Sequence, residues 1–349
     1  MGSHVIVEGI DLDLDELQIM PGLVNAHDHL HFSLFPRLGL GPYENATEWA
    51  RDIYHPDREP VRSHLAVPKS LRLIWGGLRN LLAGVTTVCH HDEYHPAFDS
   101  GFPIRVVKRF GWAHSLAFTE DVRGRFETTP ADQPFIIHLA EGTDADAAGE
   151  IFKLHELGAL TERTVVVHAV GLTAEGWDLL RRAGAAAVWC PRSNLFTVGR
   201  TLPRQVIDSG VRIALGTDSS LTSEGDFLDE IQFAKSMTAC ARKIAIQGAH
   251  DVLRTPKHRG DWIATRRFGE APELVVIDGE IRLISPKLAK YLPQSVCECF
   301  HRIQVEDRPA VLVRWDVPAL LEETSRYLNP IRLAGRLVCG AGCHPAAGC

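Results

Sequence analysis

The stretch Pro21–His29 reads PGLVNAHDH, a short apolar run that ends in two histidines separated by one residue. If residues 23–29 form a β-strand, the two-residue period of the strand directs His27 and His29 to one face and Asp28 to the other. Two imidazoles on one buried strand are costly unless a partner satisfies both of them, and a metal ion is such a partner. A pair of hydrogen-bonded structural histidines is the alternative. A metal site needs further ligands from elsewhere in the chain.

The composition is that of an ordinary globular protein. The sequence has 349 residues, of which 45% are hydrophobic and 23% are charged, and this length suits an α/β barrel, a fold of about 250 residues plus insertions. The net charge of −7 and the lack of a basic stripe argue against a nucleic-acid partner. No apolar run reaches the roughly eighteen residues of a membrane span, and no basic start precedes an apolar segment. We expect a cytoplasmic protein without membrane contact.

The eight cysteines are expected to be reduced thiols, because a chain of this length without an export signal does not depend on a disulfide framework. Two groups of cysteines offer zinc ligands, Cys297 with Cys299 and Cys339 with Cys343 and Cys349. Neither spacing matches the paired two-residue gaps of zinc-binding motifs. We therefore assign no zinc site to them.

Short apolar runs alternate with segments of helical periodicity over most of the chain. The predicted strands are 23–29, 85–89, 112–118, 136–141, 165–168, 185–190 and 212–218, and the predicted helices are 61–82, 143–157, 173–183 and 202–209. This alternation is typical of a parallel α/β sheet, in which the residues that end each strand meet at one edge. The predicted fold is an α/β, TIM-like (β/α) barrel. Four of its strands end in His29, His138, His168 and Asp218.

One interval is too short for a complete barrel. Between the strand that ends near Phe118 and the strand that begins near Phe135, the chain has too few residues for a helix, a strand and another helix, since a crossover alone needs about a dozen residues. Either the barrel lacks one unit, or Ile104–Lys108 is itself a strand. We favour a barrel shortened by one unit.

The two ends of the chain predict a small, reduced β side sheet. Residues 5–20 alternate loosely between apolar and acidic positions, and residues 272–285 are typical of a hairpin turned at an Asp-Gly pair. The predicted organisation is a barrel at 21–271, a side sheet at 5–20 and 272–285, and a C-terminal extension of unknown role at 286–349.

The strand ends supply the ligands that the two histidines require. His27, His29, His138 and Asp218 provide three imidazoles and one carboxylate. This donor set suits one divalent metal ion, Zn2+ first and Fe2+ second, and keeps a position for water. A bound cation lowers the pKa of that water to roughly 7, which creates a hydroxide nucleophile at neutral pH. Glu141, close behind His138, is placed to take the proton of the water and return it to a leaving amine.

His168 ends the next strand and is placed to orient the water or to polarise a substrate. Structural interpretations remain open for each of these residues: His138 and His168 as buried packing histidines, Asp218 as a turn or cap residue, and Glu141 as the cap of the following helix.

Other polar residues near the strand ends are weaker candidates. Solvated or packing roles suit four of them at least as well as site roles: His31, His90, His91 and Glu93. Cys190 is expected to be a buried apolar residue rather than a nucleophile. Ser193 and Asn194 either bind substrate or shape the turn after their strand.

The sequence resembles the metal-dependent amidohydrolase superfamily, and within it the cytosine-deaminase-like and chlorohydrolase-like aminohydrolases. The matching pieces occur in the family's order: PGLVNAHDH at 21–29, GVTTV at 84–88, HLAE at 138–141, VH at 167–168, CPRSN at 190–194 and LGTD at 215–218. The resemblance implies one metal ion bound by His27, His29, His138 and Asp218, with Glu141, His168 and Asp218 as catalytic residues. It also implies a larger β-sandwich than the short version that we predict here.

Three functions are compatible with these residues. The first is hydrolysis of a carbon–nitrogen bond, and above all deamination of a small amino-substituted N-heterocycle such as a purine, pyrimidine, pterin or triazine. The second is ring opening of a cyclic amide of the imidazolone type, which releases no ammonia. The third is a non-catalytic barrel that binds a ligand. The partner is a small-molecule substrate, whose specificity we expect in residues 31–60, 90–94 and 219–226, and homo-oligomer formation is left open.

Overall fold

The computed structural model describes residues 4–99 and 101–339. Within them the strands are, in chain order, β1 (His4–Val7), β2 (Ile10–Asp13), β3 (Gln18–Pro21), β4 (Leu23–Asp28), β5 (Val85–His90), β6 (Arg105–Val106), β7 (Gly111–Ala113), β8 (Phe135–Leu139), β9 (Thr164–His168), β10 (Ala186–Trp189), β11 (Arg212–Leu215), β12 (Trp262–Thr265), β13 (Leu274–Ile277), β14 (Glu280–Ile284), β15 (His301–Val305), β16 (Val311–Val313), β17 (Arg332–Leu333) and β18 (Arg336–Cys339).

The helices lie mainly between the strands of the first two thirds of the chain. They are α1 (Ala46–Ile53), α2 (Val61–Ala66), α3 (Lys69–Leu82), α4 (Val122–Thr128), α5 (Ala145–Glu156), α6 (Ala174–Arg182), α7 (Pro191–Val198), α8 (Arg204–Ile207), α9 (Phe227–Met237), α10 (Ala241–Lys243), α11 (Ala249–Leu253), α12 (Pro286–Ala289), α13 (Gln294–Cys297) and α14 (Val317–Ser325). A π-helical turn over Ile244–Gly248 joins α10 to α11. The helix predicted for 61–82 is divided at Pro68, because a proline does not continue a preceding helix.

Two parallel sheets form the α/β part of the molecule. One has the order β4-β5-β6 and the other the order β7-β8-β9-β10-β11, so the described residues contain eight parallel strands. The second alternative for the short interval is therefore correct: Arg105–Val106 is a strand, paired with β5. The prediction of a missing strand is wrong. The shortening lies in the connections, since β6 joins β7 through residues 107–110 without a helix.

Individual hydrogen bonds join the two parallel sheets where no ladder is formed. At one side His91 Nε2 donates to Ala113 O (3.1 Å). At the other side the backbone N–H groups of Thr217 and Asp218 both donate to His27 O (3.1 Å each). The carboxyl ends of β4, β5, β7 and β11 consequently lie close together.

Burial on both faces explains the composition of the parallel strands. All residues of β4, β5, β8, β9 and β10 are buried, and the strands are rich in valine, isoleucine and alanine, as expected for a sheet covered on both sides. Trp75, Phe135 and Trp189 are fully buried in this core. Apolar packing thus fixes the strands whose ends carry the candidate site.

The side sheet is larger than the sequence indicated. It has eight strands in the order β17-β18-β15-β16-β14-β13-β12-β3. The hairpin predicted for 272–285 is confirmed: β13 and β14 are antiparallel, and Asp278 (φ 55°) and Gly279 (φ 79°) turn the chain between them. The hairpin β1-β2 packs its apolar residues, Leu12 among them, against Leu274 and Ile281 of this sheet.

Most of the predicted C-terminal extension belongs to this side sheet or packs on the α/β part. Thr324 of α14 accepts a hydrogen bond from the buried Trp75 Nε1 (2.8 Å).

The domain boundaries stay predictions, and Cys343 and Cys349 lie outside the described residues. The described cysteines at 89, 190, 240, 297 and 299 are free thiols, as predicted, and Cys190 is buried. In the described ranges, no helix is both long and apolar enough to cross a bilayer.

Candidate metal centre and active site

Three parallel strands bring the predicted metal ligands to one edge of the sheets. His27 lies in β4 and His29 directly follows it, His138 lies in β8, and Asp218 follows β11. The chain after β11 closely approaches β4 because Gly216 has no side chain: a Cβ atom there would lie 2.9 Å from His27 Cβ. The glycine of the LGTD stretch is therefore needed to place Asp218 beside the histidines.

The donor atoms of these residues have the separations expected around one cation. His138 Nε2 lies 3.2 Å from His27 Nε2 and 3.4 Å from His29 Nε2. Asp218 Oδ1 lies 3.3 Å from His27 Nε2 and 3.5 Å from His29 Nε2. Ligand atoms that surround Zn2+ as a tetrahedron at about 2.0–2.2 Å are about 3.3–3.6 Å apart. The residues thus fit a divalent metal ion.

Two more imidazoles border this ligand group. A ligand atom of His168 lies within 4.8 Å of those of His27 and His138, and the same holds for His91. The second ring nitrogen of His91, Nδ1, has no hydrogen-bond partner, while Nε2 donates to Ala113 O (3.1 Å). His91, which the sequence left as a weak candidate, therefore belongs to the wall of the ligand group.

The imidazoles of His27, His91 and His138 are neutral at physiological pH. Burial lowers the pKa of His27 to about 4 and holds the pKa values of His138 and His91 well below their usual range. His138 Nδ1 donates to His114 O (2.7 Å), which leaves Nε2 with a free lone pair. Such an outer hydrogen bond to a backbone carbonyl is common for histidines that bind metals, because it fixes the ring and its tautomer.

Asp218 is the charged member of the ligand group. Burial opposes its ionisation, but hydrogen bonding to His27 and the nearby imidazoles outweigh burial, so the pKa of Asp218 lies well below its usual range. Asp218 Oδ2 accepts hydrogen bonds from Ser193 Oγ (2.6 Å) and Thr222 Oγ1 (3.0 Å), and Oδ1 faces the histidines. Ser193 therefore orients a candidate ligand.

Glu141 and His168 form a second pair beside the ligand group. His168 Nε2 lies 3.4 Å from Glu141 Oε2, and its Nδ1 donates to Asn194 Oδ1 (2.7 Å). Asn194 thus directs the other ring nitrogen towards Glu141. Burial raises the pKa of Glu141 to about 7, although His168 counteracts this rise. A carboxyl group with this pKa can both accept and return a proton near neutral pH.

The backbone around these residues is strained. Ala140 (φ 53°), His168 (φ 74°) and Asp218 (φ 60°) adopt left-handed conformations that cost non-glycine residues about 1–3 kcal/mol each. The Ala140 N–H donates to Glu150 Oε2 (2.6 Å), which holds the turn that carries Glu141. Strain of this kind is concentrated at functional sites, where the surrounding structure maintains it.

Comparison with known proteins identifies the family to which the chain belongs. No family model matches the chain. Over 302 aligned positions, however, the chain is 34% identical to the 5-methylthioadenosine/S-adenosylhomocysteine deaminase of Pyrococcus furiosus, and the alignment covers 70% of this chain and 69% of that protein. The chain belongs to the amidohydrolase superfamily. The resemblance to its deaminase and chlorohydrolase branch is therefore confirmed.

Two further proteins are similar to this chain, one in sequence and one in fold. The chain is 27% identical over 284 positions to a protein of the same name from Nitratidesulfovibrio vulgaris, covering 66% of this chain. This chain spans only 61% of the length of that relative. The fold is similar to that of the atrazine chlorohydrolase of Arthrobacter aurescens TC1, solved with zinc, with a TM-score of 0.64, 15% identity and 94% coverage of both chains.

A cavity of about 1150 Å³ opens onto the candidate site of this amidohydrolase. Glu141, His168 and Asp218 lie at the cavity with His29 and His138. Its outer part is formed by α1, by the chain after β7 and by the first turns of α5.

The three segments expected to hold specificity residues each line part of this cavity. They contribute α1 from 31–60, Asp92 from 90–94 and Ser219 with Leu221 from 219–226. Ser193 and Asn194 do not line the cavity and act instead through Asp218 and His168.

Sequence reasoning missed the segment after β7. Trp112, His114 and Phe118 line the cavity, and the His114 ring centroid lies 4.8 Å from that of His138. The sequence indicated these residues only as part of a predicted strand at 112–118, whereas β7 ends at Ala113 and residues 114–118 follow it. Asp28, in contrast, turns away from the ligand group as predicted, where its buried Oδ2 pairs with Arg79 Nη2 (2.8 Å).

Proposed function

We propose that this amidohydrolase is a metal-dependent hydrolase that deaminates a small amino-substituted N-heterocycle. One observation carries the proposal: the carboxyl group of Glu141, with a pKa of about 7, lies 3.4 Å from His168 at the cavity that also contains the His/Asp ligand group. The relatives named as deaminases support the same chemistry. The proposal extends to the eight parallel strands, which we assign to the barrel of the superfamily.

The metal ligands in this proposal are His27, His29, His138 and Asp218. Their donor atoms are 3.2–3.5 Å apart in the pairs given above, and a set of three imidazoles and one carboxylate favours Zn2+, with Fe2+ as the second choice. When bound, a divalent cation supplies the Lewis acidity that makes water a nucleophile near neutral pH.

The residues of the chain supply proton transfer and orientation. Glu141 accepts one proton from the attacking water and delivers it to a ring nitrogen. The second proton of the water, released as the carbonyl group forms, passes through Glu141 to the departing amine, which leaves as ammonia. His168, held through Asn194, keeps its Nε2 beside that carboxyl group and orients the water or the substrate. Asp218, ionised and fixed by two hydroxyl groups, keeps its second oxygen directed at the same point.

The cavity favours a substrate that is larger than a free base. A volume of about 1150 Å³ exceeds the room that one heterocycle requires, and Trp49, Trp112 and Phe118 offer aromatic surfaces along it. Because relatives are named for 5-methylthioadenosine and S-adenosylhomocysteine, we place adenine nucleosides first among the purines, pyrimidines, pterins and triazines to be screened.

Ammonia release from these compounds by the zinc-loaded protein tests the proposal. Glu141→Gln should retain metal and lose about 10²–10⁴-fold in kcat, because only the proton carrier is removed. Glu156→Gln, an exposed position on α5, is the matched control and should keep full activity. Normal turnover in Glu141→Gln would refute the role of Glu141. Consumption of a cyclic amide without ammonia would favour ring opening instead.

The proposal also covers the location of the protein, the kind of molecule it binds and its oligomeric state. From the composition we propose a cytoplasmic location, and from the cavity at the ligand group we propose a small molecule as the substrate. Sedimentation of the purified chain would measure whether it forms a homo-oligomer.

A further inference from the structure

We propose that His31, His90 and Asp92 form a second binding site for a divalent transition-metal ion, next to the first ligand group but sharing no residue with it. One ligand atom from each of the three side chains lies within 4.8 Å of the others. His31 follows β4 in the turn over Leu30–Phe32, and His90 ends β5. Because β4 and β5 are parallel neighbours, their carboxyl ends bring the two imidazoles together.

Two unpartnered ring nitrogens point to a missing ligand. His90 is only 2% exposed, its Nδ1 accepts a hydrogen bond from the Leu30 N–H group (3.3 Å), and its Nε2 has no hydrogen-bond partner. His31 Nδ1 likewise has no hydrogen-bond partner and lies 3.5 Å from Asp92 Oδ2. Buried polar atoms are normally satisfied, and a separation of 3.5 Å between nitrogen and oxygen is what one shared cation produces.

The donor set decides which ions fit. Two imidazoles and one carboxylate favour Zn2+, Co2+, Ni2+ or Cu2+ over Mg2+ and Ca2+, which prefer oxygen ligands. Three protein ligands leave at least one coordination position open. His31 and Asp92 line the same cavity as His29, and the ring centroids of His29 and His31 are 6.2 Å apart. An ion at this second site therefore has a route of entry and offers its open position to a molecule in the cavity.

Lys69 competes with such an ion for Asp92. Its Nζ lies 2.9 Å from Asp92 Oδ2, and its side chain is 37% exposed. A flexible ammonium group that is partly in water can leave the carboxylate when a doubly charged cation arrives. Metal binding at this site therefore has to displace Lys69, whereas a purely structural ion pair would hold it in place.

Cobalt titration of the full chain, freed of metal, tests the second site without reference to deamination. Bound Co2+ per chain is measured after equilibrium dialysis, and visible absorption follows each binding step. We expect two equivalents for the wild-type chain and loss of one in Asp92→Asn. Glu93→Gln is the matched control, because it removes the same charge from the exposed neighbouring position, and should bind two.

Lys69→Met separates the metal site from a structural ion pair. The substitution keeps all three ligands and removes the competing ammonium, so half-saturation of the second equivalent should occur at lower Co2+ concentration. This variant also provides the test if Asp92→Asn does not fold. A single equivalent in the wild-type chain that persists in Asp92→Asn, two equivalents in Asp92→Asn, or unchanged half-saturation in Lys69→Met would each overturn the proposal, whereas a single equivalent that is lost in Asp92→Asn would support it and count against the first site instead. Loss of the first equivalent in His138→Gln, with the second retained, would identify the two sites as independent.

Discussion

Two groups of ionisable side chains differ in how the charge of their carboxylates is compensated. The ligand group of His27, His29, His138 and Asp218 contains one carboxylate among imidazoles. The ion-pair cluster, which consists of Asp226, Asp229, Arg308 and Arg336, pairs two carboxylates with two guanidinium groups.

The ion-pair cluster is complete within the chain. Arg336 forms two hydrogen bonds with Asp229, from Nη1 to Oδ2 (2.8 Å) and from Nη2 to Oδ1 (3.0 Å), and Arg308 binds Asp226 through Nε and Nη2 (2.9 Å each). Asp226 and Asp229 lie at the beginning of α9, where they form a capping box, and the arginines come from the side-sheet region. The cluster joins the helix to that region and needs no further ion.

The ligand group lacks such compensation. Within the described ranges no lysine or arginine pairs with the Asp218 carboxylate, whose partners are imidazoles and two hydroxyl groups. The difference separates structural from functional charge: the charge of a carboxylate matched by arginine is compensated within the fold, and a buried carboxylate without a lysine or arginine partner leaves a position for an external cation.

Removal of the single carboxylate of the ligand group should have the largest effect. Asp218→Asn removes the negative charge that faces the histidines of the ligand group, so we expect loss of bound metal and of ammonia release by about 10³-fold or more. The free energy of unfolding in saturating Zn2+ should fall by about 4 kcal/mol, the stabilisation given by a ligand at about a thousand times its Kd. Metal analysis, kcat and urea unfolding measure the three effects.

Asp178→Asn is the control for this change. Asp178 is exposed on α6 and pairs only with the exposed Arg181, so metal content and kcat should stay at their wild-type values. If Asp218→Asn kept its metal and its activity, the contrast between the two groups would not distinguish a functional charge from a structural one.

Asp229→Asn should break the ion-pair cluster and leave the site intact. The substitution leaves two arginines without one of their carboxylates and removes a cap of α9, and we expect a loss of about 3 kcal/mol in the free energy of unfolding. Metal per chain and kcat of the folded fraction should not change. Urea unfolding measures the free energy of unfolding, equilibrium dialysis measures metal per chain, and an ammonia assay measures kcat.

Glu322→Gln serves as the comparison for Asp229→Asn. Its exposed pair with Arg326 (3.4 Å) is one turn apart on α14, and such pairs contribute at most about 0.5 kcal/mol. Equal stability losses in the two variants would show that the ion-pair cluster is no stronger than a surface pair.

The sequence indicated which candidate site residues lie together more clearly than it indicated the strands of the side sheet. His27, His138, His168 and Asp218 lie at or near the ends of apolar strands, a local pattern, and parallel strands bring such ends to one edge. Their roles stay predictions. The strands β15–β18 were missed because they have only two to five residues each, too few to show a clear two-residue period.

The missed residues near the site have different causes. His114 follows a strand of only three residues whose neighbour β6 has two, and neither is long enough to show a period. Helix α1 lies inside the segment 31–60, for which no helix was predicted. Asn45 followed by Glu48 is nevertheless a recognisable helix start, and Asn45 Oδ1 accepts a hydrogen bond from Glu48 N (3.0 Å). The signal for α1 was present, and the signal for His114 was not.

The two groups should also differ in how stability responds to pH. Burial raises the pKa of Glu141, beside the ligand group, to about 7 in the folded chain, against an ordinary value of 4.5. Between these values the folded chain keeps a proton that the unfolded chain has lost, so the free energy of unfolding of the metal-free protein falls as pH rises, by about 3 kcal/mol in total. Urea unfolding at pH 4.5 to 8 should find Glu141→Gln equal to wild type at the acid end and more stable above pH 7.

The difference between the curves of unfolding free energy against pH for wild type and Glu141→Gln isolates the titration of Glu141 and its interaction with His168, because the other buried histidines are common to both proteins. For Asp229 burial opposes ionisation, but Arg336 and Arg308 outweigh it and hold the pKa below its usual range. Its contribution is therefore complete above the pKa of the unfolded chain and is lost only as pH falls below about 4. From pH 5 to 8 the curve of Asp229→Asn should run parallel to that of wild type, displaced downwards. If Glu141→Gln also ran parallel, Glu141 would titrate as an ordinary carboxyl group and its role as a proton carrier near neutral pH would lose its physical basis.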